Sequence, residues 1–571
     1  MKRLSISPKE FMNWTWAQIE PFYSELMDSP IHQENLSEWL QQWSLLASLI
    51  YETKQRHYVA VTTNTNDLEA EQKYNNFLDH VFTPAEMADQ ELKRKLLESG
   101  FQPEGFAIPL RTIRAEVEIF NQENLPLIAS ELKLSARYDH LIGEQTAEWE
   151  GKEVTLLQLQ EVLRDVDRSK REQAWRLSAR RWLEDRDAMN ALWADLLDVR
   201  VRLARNSGMP DYRAYRWKQL MRFDYTPQDC KKFHKTIEEI VVPAVRVLYE
   251  KRRQKLGVDR LRPWDINVDP LGRPALRPFE NTVELEERVG WIIQQVDPQL
   301  GQYFETMRRE NLLDVENRKG KAPGGYCTEF LVSNRPFILM NAVGAHEDVQ
   351  TLLHEGGHAF HVFEIGSLPY FHQKKIGLEF MEVASTSMEL LGAPYFTIDR
   401  GGFYTPEEAA RARIEFIEEV ILFWPYMAVV DAFQHWVYEN PDQAAFSANC
   451  DAVWGELWDR FMIGCDWSGL DAERITGWHR KLHIFQDPFY YIEYGLAQFG
   501  AFQVWSNALK DQKAAVQAYR KALALGGTVP LPELYATAGA KFAFDPETVQ
   551  QAVDLGIRMI EDLERNTEPH L

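Results

Sequence analysis

A chain of 571 residues carries a loose prior of three or four domains at about 150 residues each. Its 45% hydrophobic and 26% charged residues exclude a disordered or fibrous chain and leave ample material for a large core. The 86 acidic against 64 basic residues, a formal net charge of −22, should repel phosphate backbones and anionic headgroups, so neither nucleic acid nor a membrane is an expected partner.

The opening MKRLSISPKEFMNWTW has two basic residues but no apolar core of a signal peptide, and no run of 18 apolar residues occurs. The four cysteines (Cys230, Cys327, Cys450, Cys465) are far apart, with no CxxC among them. A disulfide-free chain in a reducing compartment, and so a cytoplasmic location, is the expectation.

Helical periodicity dominates. From Leu36 to about Ser99 apolar residues recur every three or four positions, as at Leu40, Trp43, Leu46 and Ile50. Asn64 to Asp67 reads as a turn feeding an N-cap, and Thr83-Pro84 as a helix start with Pro in the first turn. Ala147 to Leu156 suits a short hairpin with Gly151 at its tip. Helices resume from about Gln158 to Asn206, and Asn206-Ser207-Gly208 supplies the stop. The proline-rich stretch Leu256 to Pro278 reads as a connector or small β element, with WDINV extended. KGKAPGGY is a Gly/Pro loop, PFILMN has strand length, and helix returns from Asp348 to the end. The expected fold is mainly α, with a small β-sheet beside one special helix.

That helix contains TLLHEGGHAFHVF. His354 and His358 are one turn apart and about 40° around the axis, so both imidazoles can reach one ion, and zinc suits such a donor pair. Glu355 lies about 100° from His354, beside the ion, where it can take a proton from water. By chance HExxH would turn up in roughly a few of every hundred chains this long, so further ligands are needed to support it. Gly356-Gly357 cost the helix about 1 kcal/mol each relative to Ala, which points to close approach by another backbone. His361 shares the face but lies about 10.5 Å along the axis from His354, too far for the same ion. The next helical stretch, GLEFMEVASTSMELLG, offers Glu379, Glu382 and Glu389. Spacing does not separate Glu382 from Glu379.

The HExxH helix, a Glu about 24 residues later, and the C-terminal HIFQDPFYYIEYG together resemble the thimet oligopeptidase and oligoendopeptidase F family of zinc metallopeptidases, and most of all its bacterial oligoendopeptidase F branch. ARNSGMPDYRAYRW, YTPQDCKKFHKTIEEIVVPA, LRPWD and GKAPGGYC carry the likeness from about Leu203 to Tyr494. The resemblance implies a gluzincin-like peptidase of two helical lobes around a deep substrate channel. The lobes divide near residue 165, into an N-terminal helical lobe (1–165) and a catalytic lobe (166–571). The family's Glu-Val-Ala-Ser motif matches Glu382 to Ser385, selecting Glu382 as third ligand beside His354 and His358, for one Zn²⁺ per chain. His483, Tyr491 and Tyr494 match a His and two Tyr that meet the substrate's carbonyl and backbone, although the His483–Tyr491 spacing is one residue shorter than in thimet oligopeptidase. Tyr490 is the nearest counterpart of a further family tyrosine.

The implied activity is hydrolysis of internal bonds in short peptides, with Glu355 as general base and Tyr494, assisted by Tyr491 and His483, on the oxyanion. A peptidyl-dipeptidase or carboxypeptidase is the alternative. Phe337 to Asn341, with Phe337, Leu339 and Asn341 as candidate contacts, resembles an edge strand along which a peptide is added. The loop at Gly325 and Tyr326 is a candidate cover for it. Glu389 is a candidate support for a ligand histidine. The other histidines, from His32 through His234 and His435 to His570, show no metal spacing and are read as structural or solvated. Cys327 has no evident base and is not read as a nucleophile.

Overall fold

The structure, a computed structural model, describes residue 4 and residues 6–567. His570 and most of the first five residues lie outside the described residues. Contacts divide the chain into two compact units, each assembled from three separate stretches. Unit 1 comprises the chain through Glu118, Leu276–Ala412 and Ala497–Phe542; unit 2 comprises Ile119–Ala275, Arg413–Leu496 and the chain from Ala543. Residue 165 falls inside the first stretch of unit 2.

In unit 1 the helix Leu36–Thr63 buries Leu40, Trp43, Leu46 and Ile50, the stripe its periodicity predicts. Asp67 caps the following helix, its carboxylate accepting from the backbone of Glu69 and Ala70. Thr83-Pro84 opens the α-helical segment Thr83–Ser99, but with no break before it. Leu68–Phe77 runs on through a π turn, Leu78–Phe82, into Thr83–Ser99, and Phe82 keeps helical angles. The wide turn gives the Thr83 amide a bond to the Leu78 carbonyl and makes room for the Pro84 ring. Unit 2 repeats the arrangement: a π turn at Ile237–Val241 comes just before Val242-Pro243.

Among the described residues are five strands: β1 (Thr146–Trp149), β2 (Lys152–Thr155), β3 (Leu313–Glu316), β4 (Tyr326–Phe330) and β5 (Arg335–Ala342). β1 and β2 form the expected hairpin, closed at Trp149–Lys152 by Glu150 and Gly151, both at positive φ. β3, β5 and β4 form a three-stranded sheet in that order, β5 parallel to β3 and antiparallel to β4. It packs on the helix His346–Glu364, as the sequence led us to expect.

WDINV is not extended. Pro263–Asp265 form a 3₁₀ turn, because the fully buried Asp265 gathers three donors around one carboxylate: Arg168 at 2.8 Å, Arg171 at 2.9 Å and the Arg262 amide at 3.0 Å. Most of the aromatic excess is core: in unit 2 Trp193, Trp478 and Phe485 pack together, and in unit 1 Trp39 packs on Trp43. The four cysteines are free, and no described helix is long and apolar enough to cross a membrane.

Candidate metal centre

The HExxH helix, His346–Glu364, begins where the Asp348 carboxylate accepts from the amides of Val343 (2.8 Å) and Ala345 (2.9 Å). It buries Val349, Leu352, Leu353, Phe360 and Val362 and leaves His354 and His358 partly exposed. The facing helix, Leu378–Gly392, is buried along nearly its whole length. Gly357 is the point of closest approach. A Cβ there would come 2.5 Å from the Ala384 carbonyl oxygen and 2.6 Å from Ser385 Cα. Gly356 faces only the Phe360 ring, at 3.7 Å. The glycine pair thus contains one residue that the helix contact requires.

This approach brings Glu382 Oε2 to 3.4 Å from His354 Nε2 and 3.9 Å from His358 Nε2. One donor atom from each of the three residues lies within 4.8 Å of the others. Bonds of about 2 Å around a tetrahedral ion put neighbouring donors roughly 3.3 Å apart, so two imidazoles and a carboxylate at these separations fit zinc. Two of the three are further oriented from behind. Glu389 Oε1 is 2.8 Å from His354 Nδ1, and Ser385 Oγ donates to Glu382 Oε2 at 3.0 Å.

Burial pushes the His358 pKa down to about 4, leaving a neutral imidazole with a lone pair to offer. Burial also disfavours a proton on His354, yet Glu382 and Glu389 raise its pKa well above the usual value; carboxylates there draw a cation to this ring. Glu355 is buried. Burial raises its pKa to about 7, with His354 opposing, Glu382 and Glu389 adding, and the Cys327 amide donating to its carboxylate.

The sheet overturns one expectation. β5 is not an edge strand: Ile338 and Leu339 have β3 on one side and β4 on the other, so no peptide can pair there. Phe337 and Leu339 are buried with Phe330, Val59 and Leu312. Asn341 Nδ2 donates to the carbonyls of Ala322 (2.8 Å) and Gly324 (2.9 Å), holding the Gly/Pro loop. Tyr326, at the start of β4, bonds Thr62 Oγ1 through its hydroxyl at 2.6 Å, and Gly325 lies against Leu339 and Thr351. Lys321, which carried no signal in the sequence, locks the same loop with its buried ammonium on Asp314, Glu316 and Met340.

In unit 2, His483, Tyr490, Tyr491 and Tyr494 form one aromatic cluster. His483 lies 4.8 Å from Tyr491 and 5.8 Å from each of Tyr490 and Tyr494 between ring centroids; Tyr491 and Tyr494 are 5.8 Å apart. Burial keeps Tyr491 protonated by raising its pKa, and lowers that of His483 to about 3 with help from Lys481. The positioning residues here were invisible to motif reading. The fully buried Arg200 donates to the carbonyls of Ile484 (2.9 Å) and Phe485 (2.5 Å), directly after His483. Arg222 bonds the Phe489 carbonyl and Glu493, while Gln434 takes the Phe489 amide at 2.7 Å. These bonds hold Phe489 at φ 66°, an unusual angle for a side-chain-bearing residue, immediately before the tyrosines.

A family model, Peptidase family M3, matches residues 162–554. The chain belongs to peptidase family M3. Oligopeptidase PepF of Bacillus subtilis is 22% identical to this M3 chain over 325 residues, covering 55% of this chain and 46% of PepF. The chain thus spans about half the length of the curated relatives it matches. A crystal structure assigned by name to oligoendopeptidase F superposes with a TM-score of 0.87 at 28% identity, covering 98% of this chain and 99% of that one. PZ peptidase A with an inhibitor superposes at 0.85 and 28% identity, covering 99% and 98%. The mainly α architecture with its small sheet is therefore that of M3 peptidases.

Proposed function

We propose that this M3 chain is a zinc-dependent oligoendopeptidase that hydrolyses internal bonds of short peptides in the cytoplasm. The observation that carries the reading is the convergence of His354, His358 and Glu382 from two helices, with Glu389 behind the first imidazole. The names of the relatives, oligopeptidase PepF and PZ peptidase A, support a peptide substrate.

His354 Nε2, His358 Nε2 and the Glu382 carboxylate would hold one zinc, which when bound supplies Lewis acidity at the scissile carbonyl. Glu355, next to His354 on the same helix, takes the proton of the attacking water and delivers it to the leaving amine. The family resemblance assigns the phenols of Tyr494 and Tyr491, with His483, to hydrogen bonds on the carbonyl oxygen and the peptide backbone. Tyr491, kept protonated by burial, is suited to donate.

The test uses the purified chain and one peptide in free-acid and C-terminally amidated forms, with products mapped by mass spectrometry. Internal cleavage of both forms, lost on chelation and restored by zinc, is expected. Loss of cleavage on amidation would replace the endopeptidase reading with an exopeptidase. Glu355→Gln should keep its zinc and lose hydrolysis; undiminished activity in that variant would sink the general-base assignment.

A further inference from the structure

His234 and His435 show no metal spacing along the sequence, but unit 2 brings them together with two other ligand-type side chains. Cys230 and His234 are four apart on the helix Pro227–Thr236, and Asp431 and His435 are four apart on Pro406–Glu439. Each pair therefore shares one helix face. One donor atom each from Cys230, Asp431 and His435 lies within 4.8 Å of the others, and all three residues are buried. His234 Nε2 is 2.7 Å from Asp431 Oδ2, and His435 Nε2 is 3.3 Å from the same oxygen. Two polar atoms facing this cluster have no hydrogen-bond partner: Asp431 Oδ1 and His435 Nε2.

We propose that Cys230, Asp431 and His435 form a second, structural metal site that takes zinc, with His234 orienting the Asp431 carboxylate. A thiolate, a carboxylate and an imidazole are a suitable donor set for that ion. The charges also balance: thiolate and carboxylate together neutralise one divalent cation, so an apolar surrounding can hold all three. The surrounding charges are largely committed elsewhere. Arg222 is bonded to Glu493 and the Phe489 carbonyl, and Asp229 caps its own helix through Thr226. Arg213 pairs with Glu439 and also approaches His435 Nδ1 at 3.4 Å, the outer limit of a hydrogen bond. Ligation through Nε2 places the proton on Nδ1 and leaves Arg213 on Glu439. Such an ion would pin the Pro227–Thr236 helix to residues 431–435, in the unit that carries the His483 and tyrosine cluster.

The experiment exploits the thiolate, which the HExxH centre lacks. The full chain is produced in cobalt-supplemented medium, so that Co²⁺ is present as the buried site folds, and is compared with H354A/H358A and C230S. Two ions per chain and a near-ultraviolet thiolate-to-cobalt charge-transfer band are expected. H354A/H358A should keep the band and one ion. C230S should keep one ion and lose the band. Because the band is read in chains with Cys230 intact, the result stands even if C230S does not fold. One ion per chain with no charge-transfer band, lost altogether in H354A/H358A, would overturn the proposal and leave a metal-free His234–Asp431 hydrogen bond with the His435 imidazole beside it.

Discussion

Glu389 Oε1 lies 2.8 Å from Nδ1 of His354, while His354 Nε2 faces Glu382 at 3.4 Å. One carboxylate thus fixes the imidazole's tautomer and orientation so that its other nitrogen is free to bind a cation. Glu389→Gln should lower zinc affinity by about 10–100-fold without changing the fold. Chelator competition against the parent chain measures this, and equal affinities would show that Glu389 is not needed. Ser385→Ala, which removes one bond to Glu382, should have a smaller effect in the same direction.

The two adjacent glycines of the HExxH helix should respond in opposite ways. Gly357→Ala drives a methyl into the Ala384–Ser385 backbone and should cost about 1–3 kcal/mol, with weakened metal binding as the helices part. Gly356→Ala meets only ordinary contact with Phe360 and should stabilise the helix by up to about 1 kcal/mol. Thermal melts of the two variants provide the comparison, and similar shifts in both would contradict the packing described above.

Acid should destabilise unit 1 through Glu116. Burial favours its neutral form, but Lys375 and Lys93 override this and hold its pKa down to about 2, against an ordinary 4.5. A depressed carboxyl pKa stabilises the fold above the unfolded value and loses that contribution as pH falls through 4.5 toward 2. At about 1.4 kcal/mol per pH unit its full size is about 3 kcal/mol. Denaturant midpoints between pH 6 and pH 3 should fall less steeply in Glu116→Gln than in the parent chain; parallel slopes would refute the assignment.

The phenols should act on rate more than on binding. Tyr494→Phe should lower kcat by about 10²–10³-fold, the usual loss on removing one oxyanion donor, with zinc content unchanged. A change confined to KM would move Tyr494 from the reacting carbonyl to the peptide's ends.

By itself the sequence determined what is periodic or contiguous. The helical stripes at Leu40, Trp43 and Leu46, the hairpin tip at Gly151 and the shared face of His354 and His358 all follow from spacings within one or two turns. The choice of Glu382 over Glu379 came from a motif resemblance, since both sit on one helix and periodicity treats them alike. Only the tertiary structure decided which elements meet. It made β5 a central strand rather than an edge, because a strand's neighbours depend on its position in the sheet and not on its own residues. It set Arg200 on carbonyls almost 300 positions away and assembled Cys230 with Asp431 and His435. Such pairings carry no local signature, because each side chain's partner is supplied by packing between distant helices.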